Sequence, residues 1–146
     1  MSIGCLIGIT SEDGERQKAL LYIHDGGTPV EVFNLIETAL DRFFAEDSYR
    51  IASRRLGQSK AMQREVGSWQ VKRAGKVASA LCAVRPVDVE PRVDSKLKTD
   101  FYYDIEIGKS AQWFVTVLRT MMGGRRETLF EGHYEEFRDW VEGGAE

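Results

Sequence analysis

The chain has 146 residues, of which 42 % are hydrophobic and 29 % charged, with two cysteines, two histidines and a formal net charge of −3. That length fits one domain, residues 1–146, able to bury a core without staples, and two unpaired-looking cysteines exclude a disulfide framework. No run approaches the roughly 20 apolar residues needed to span a bilayer, so a reduced, cytoplasmic protein is expected.

The first elements follow from residue pattern. Residues 3–10 and 17–24 are apolar or β-branched runs separated by Ser11-Glu12-Asp13-Gly14, which predicts a β-hairpin with an acidic loop. No basic residue precedes the first run, so it reads as a strand and not a signal peptide. Thr28-Pro29-Val30-Glu31 then supplies an N-cap, a proline at the first helical position and a glutamate three residues after the cap. This capping box predicts a helix in which Glu31 returns to the amide of the cap. Val32, Phe33, Ile36, Leu40, Phe43 and Phe44 recur at three and four, giving that helix an apolar stripe. A second, shorter helix is expected over 48–56, closed by Gly57. Residues 59–83 lean helical, interrupted by Gly67 and Ala74-Gly75, and 86–91 reads as an extended linker because each proline disfavours helix in its predecessor.

The C-terminal half is plainer. Phe101, Tyr103, Ile105 and Ile107 alternate with Tyr102, Asp104 and Glu106, and a turn at 108–111 leads into 112–118, a second hairpin. Residues 127–131 suit a short edge strand, and 133–141 a terminal helix with Tyr134, Phe137 and Trp140 or Val141 inward. The predicted fold class is α+β: an antiparallel sheet of four to six strands built from two hairpins, with helices on one face.

Charge layout is the strongest functional signal. Residues 1–49 carry three basic side chains against nine acidic, a charge of −6; residues 50–98 carry twelve against four, +8; residues 99–146 carry five against ten, −5. Between Arg50 and Arg85 nine basic residues meet one acid, Glu65, a footprint for phosphates or an acidic partner. Arg50, Arg54, Arg55, Arg64, Lys72 and Arg73 are the candidate binding residues, with Trp69 as the aromatic that could stack a base. The competing account is internal neutralisation by the acidic flanks, with Trp69 in a core. Those flanks, including Asp41, Glu46 and Asp47 near the start and Glu131, Glu135, Glu136, Asp139 and Glu142 near the end, could also imitate a phosphate lattice.

Catalytic ingredients gather at one place, Cys5 with His24 and Asp25. A thiol becomes a nucleophile when a neighbouring imidazole takes its proton. Register decides: if Ile9 pairs with Lys18, Cys5 lies opposite Tyr22 and His24 is a same-face diagonal neighbour at about 7 Å, whereas a one-residue slip separates them. Ile3, Ile7 and Ile9 share the face of Cys5, which favours a buried apolar thiol. Asp25-Gly26-Gly27 before a helix could offer amides to an anion, but the local charge is acidic and helix capping explains it better. No catalytic residue, metal site or cofactor is expected, and the chain is read as not an enzyme.

Ile7-Gly8-Ile9, Glu12-Asp13-Gly14 and Tyr22-Ile23-His24-Asp25-Gly26-Gly27-Thr28-Pro29, with the aromatic strand at Tyr102-Tyr103 and Trp113, resemble small uncharacterised proteins of phages and prophages. Those carry a similar opening hairpin and a Tyr-x-His-Trp-Asp-Gly-Tyr-Pro junction; here the tryptophan is missing and Gly27-Thr28 stands for the tyrosine. The resemblance implies a habitat among proteins that occlude host machinery, as anti-CRISPR proteins do. The expectation is a non-catalytic, phage-encoded inhibitor binding a bacterial host protein or ribonucleoprotein complex in the cytoplasm, with no membrane. The alternatives are a nucleic-acid-binding accessory protein using the basic block and a small cysteine-dependent enzyme; a homodimer is left open.

Overall fold

The computed structural model describes residues 3–11, 17–54, 74–86, 88–91, 99–108 and 112–144. Strands β1 (Cys5–Ser11) and β2 (Gln17–Ile23) form the first hairpin, followed by helices α1 (Pro29–Arg54) and α2 (Ala74–Val84). Strands β3 (Val89–Pro91), β4 (Phe101–Ile107), β5 (Trp113–Thr120) and β6 (Arg126–His133) precede the terminal helix α3 (Tyr134–Glu142). The fold is α+β, one six-stranded sheet in the order β3-β2-β1-β4-β5-β6. The two hairpins meet through β1 and β4, which run parallel, with Ile7 level with Tyr103; every other neighbouring pair is antiparallel. The expected antiparallel sheet of four to six strands holds at every pair but this one. A parallel pairing needs a long crossover, which the helical stretch between β2 and β4 supplies.

All three helices pack on one face. The core joins Cys5, Ile7 and Ile9 of β1 with Tyr103, Ile105 and Ile107 of β4 and Val115 and Val117 of β5. Against them lie Val32, Ile36 and Leu40 of α1, Val77 and Leu81 of α2, and Phe137 and Val141 of α3. Strand alternation puts the predicted residues of β4 inward, and Tyr134, Phe137 and Val141 are the buried positions of α3.

Four expectations shift. The helices expected over the 30s and from 48 are one uninterrupted α1 of 26 residues to Arg54, about 39 Å long at 1.5 Å per residue, while 55–56 and Gly57 lie outside the described residues. Asp47-Ser48, good capping residues, are carried mid-helix, where the backbone donors they would satisfy are already paired along the helix. Val89–Pro91 is no free linker; it pairs with β2, Val89 opposite Ile23, and a proline is tolerated because this is an edge strand. Strand β6 is longer than expected and takes up a bulge opposite Val117 and Leu118. At the cap, the Glu31 amide donates to the Thr28 hydroxyl at 3.4 Å as predicted, but the Glu31 carboxylate accepts from that hydroxyl at 2.6 Å instead of returning to the cap's amide.

Candidate functional site

The predicted binding residues divide two ways, and Arg85 of the same basic block stands apart from them. Arg50 and Arg54 lie one turn apart on the backbone of α1. Arg55, Arg64, Trp69, Lys72 and Arg73 lie outside the described residues. Arg85, last of the nine basic residues, is committed to the fold: its guanidinium donates to the Asp25 carbonyl at 3.1 Å and pairs with Asp88 at 3.0 Å. Its ion-pair partner is a neighbour within the basic block and not a side chain of the acidic flanks, and Lys76 on α2 is exposed.

Upstream of Arg50, α1 changes character. Its packed stripe of Val32, Phe33, Ile36, Ala39 and Leu40 is buried. The next turn is not: Asp41 and Arg42 are exposed, and Phe43, which continues the period of Ile36 and Leu40, is 46 % exposed. The helix backbone nevertheless runs on to Arg54. The helix thus carries Arg50 and Arg54, the start of the basic block, on the same element as the exposed Asp41-Arg42-Phe43 turn. Periodicity placed Phe43 in the core because it counts residues and not the width of the sheet beneath them.

The cysteine cluster is resolved by register. Cys5 lies opposite Ile23 and Ile9 opposite Ala19, the one-residue slip that separates Cys5 from His24. Cys5 faces the core, wholly buried. His24 is exposed on the other side, its Nδ1 3.1 Å from the Tyr22 hydroxyl. Burial pushes the Cys5 thiol far above its usual range, an effect opposed by Arg85 and reinforced by Glu31. A thiol so held does not become a nucleophile through His24. In the folded protein at mildly alkaline pH, iodoacetamide should therefore modify the half-buried Cys82 of α2 before Cys5, with Cys5 reacting only on unfolding. Peptide mass mapping that finds Cys5 alkylated first in the native state would contradict this placement.

The glycine-rich junction is a clamp. The Gly27 amide donates to the Ile3 carbonyl at 2.9 Å, so it is not offered to an anion. The buried Tyr103 hydroxyl, reaching from β4, donates to the Gly27 carbonyl at 2.7 Å. Gly26 takes φ +94° beneath the Arg85 guanidinium, a conformation glycine adopts without strain. The junction thus fixes where α1 starts and which way it points. Tyr103 and Arg85 could not be singled out from sequence, because their partners are backbone carbonyls remote along the chain.

Among the described residues, no group of three or more histidine, cysteine, aspartate or glutamate side chains could hold a metal ion, and no helix is long and apolar enough to cross a membrane. No protein-family model, curated protein or solved structure matches this chain.

Proposed function

We propose that this is a non-catalytic interaction protein that acts by occluding a bacterial defence protein or nucleoprotein complex, in the manner of phage-encoded inhibitors. Its interface includes the exposed Arg42-Phe43 turn of α1. The observation that carries the reading is the continuity of α1, which links an exposed Arg42-Phe43 turn to Arg50 and Arg54 on one helix. Arginine and large aromatic side chains are the types enriched at interface centres, and a helix face entering a groove is a recurrent mode of recognition. The +8 charge of residues 50–98 favours an acidic or phosphate-bearing counterpart. The resemblance of residues 7–29 to phage and prophage proteins supplies the host setting.

The test replaces Arg54, Arg55 and Arg64 by Glu and expresses parent and variant in bacterial strains that each carry one defined defence system. The parent should raise phage plating on at least one strain, and the variant should lose that effect while melting close to the parent, since exposed charges contribute under about 1 kcal/mol each. If no system is relieved, inhibition is refuted. A variant that melts far lower, with the loss insensitive to salt, would assign the arginines to internal pairing. Binding of generic nucleic acid whose log affinity falls linearly with log salt, without relief of any system, would favour the nucleic-acid accessory reading.

A further inference from the structure

The loop between β5 and β6 is built as a projecting tip, independent of the surface just proposed. Its root is fixed. The Thr120 amide donates to the Asp100 carbonyl at 2.9 Å, the Thr120 hydroxyl donates to the Thr99 carbonyl at 2.7 Å, and the Arg126 guanidinium lies 4.8 Å from the centre of the Tyr102 ring. The turn itself is closed by the Met121 amide on the Arg125 carbonyl at 2.6 Å and the Gly124 amide on the Met121 carbonyl at 3.0 Å. Gly123 and Gly124 have φ +84° and +83°, and a methyl group added at either would touch nothing within 4 Å. Among the described residues, nothing packs against the two glycines of the tip.

What it displays is unusual for a solvent turn. Met122 is 96 % exposed and Met121 38 % exposed. Arg125 and Arg126 follow directly, and no acidic residue lies between Arg119 and Arg126. Glu127 is nearby but stands directly across from Arg119 on the neighbouring strand, which leaves Arg125 and Arg126 as the surplus charge. The Asp100 carboxylate, at the root, accepts from the Gly4 amide at 3.2 Å, on the side of β1.

We propose that this tip is a wedge for the minor groove of double-stranded DNA, with Met122 entering between base steps and Arg125 and Arg126 taking the flanking phosphates and groove edge. Three features select this occupant. The positive surplus fits a polyanion. An apolar side chain at the end of a basic arm is the device by which minor-groove proteins unstack a step, and methionine is among the residues that serve. Two adjacent glycines add no side-chain bulk beside Met122, which suits entry into a groove about 6 Å wide better than contact with a flat protein surface. The two-stranded support keeps the wedge ordered before binding, so little entropy is lost on insertion.

The full-length chain would be titrated against a short labelled duplex with an A·T-rich centre that carries 2-aminopurine at its central step. The parent should bind at low salt, be displaced by the minor-groove drug distamycin, and raise 2-aminopurine fluorescence as the step opens. Met122→Ser, checked for unchanged melting, should lose the fluorescence rise. Arg125→Gln should lower the slope of log affinity against log salt by about 1. The proposal is overturned by absence of binding at low salt, by binding that distamycin leaves intact, or by variants indistinguishable from the parent. Association with phosphatidylglycerol vesicles but not with the duplex would overturn it as well, and assign the tip to a lipid surface.

Discussion

Phe137→Ala is expected to be among the most damaging single truncations in the molecule, lowering stability by about 4 kcal/mol and the melting temperature by on the order of 10 °C. Phe137 is wholly buried at the centre of an aromatic cluster. Its ring centroid is 6.0 Å from Phe33 on α1, 5.8 Å from Phe130 on β6, and 6.1 and 6.2 Å from Tyr134 and Trp140 on its own helix. Truncation leaves a cavity whose walls belong to three elements held by separate backbone ladders, so collapse cannot fill it. Phe137→Leu keeps most of the volume and should recover most of the loss. Because the Tyr134 hydroxyl also donates to Glu37 of α1 at 2.7 Å, α3 secures the same helix that carries Arg50 and Arg54. An unfolding free energy for Phe137→Ala, from denaturant titration, within about 1 kcal/mol of the parent would mean that α3 is an accessory to the core and not part of it.

The parts of this fold legible in the sequence are those with one buried face and one period. In β4 the alternation of Phe101, Tyr103, Ile105 and Ile107 with polar neighbours fixes the inward face, and α3 has a narrow stripe. In β1 the pattern is ambiguous, since Leu6 and Ile7 are both apolar and both wholly buried on opposite faces of a central strand. Nothing local then selects the register, and the position of Cys5 relative to His24 turns on a one-residue offset. Val89-Glu90-Pro91 hides its strand character because an edge partner asks only for extended backbone. The parallel contact of β1 with β4 has no local signature at all, being a choice between strands far apart along the chain. For the candidate site, charge counting located the basic block but not its support: Arg50 and Arg54 belong to the helix that begins at Pro29 and not to a second one, and Arg55, Arg64, Trp69, Lys72 and Arg73 fall outside the described residues. Met122 escaped notice because hydrophobic pattern registers a methionine as apolar whether it is inside or at the end of a hairpin.

Gly27→Ala should be nearly as costly as loss of the aromatic centre, and for a reason that composition would not suggest. Gly27 carries no positive φ, so glycine is not needed there for its backbone freedom. It is needed for space: a Cβ at this position would lie 2.9 Å from the Cys5 amide nitrogen, the Gly4 carbonyl carbon and the Cys5 Cβ. Two of those atoms are backbone of the central strand, which no rotamer change can move. Relief requires the junction to lift away from β1, and that motion strains both the 2.9 Å bond from the Gly27 amide to Ile3 and the 2.7 Å bond from the buried Tyr103 hydroxyl. A loss of about 3 kcal/mol is expected, at the upper end for overpacking because two hydrogen bonds are weakened with it. Gly124→Ala provides the contrast. Its added methyl meets nothing, and the strain of φ +83° alone should cost about 1 kcal/mol. If Gly27→Ala melts no lower than Gly124→Ala, the junction yields easily and cannot be what aims α1. If it melts much lower, the close approach of Gly27 to Cys5 is what orients the helix that reaches Arg50 and Arg54.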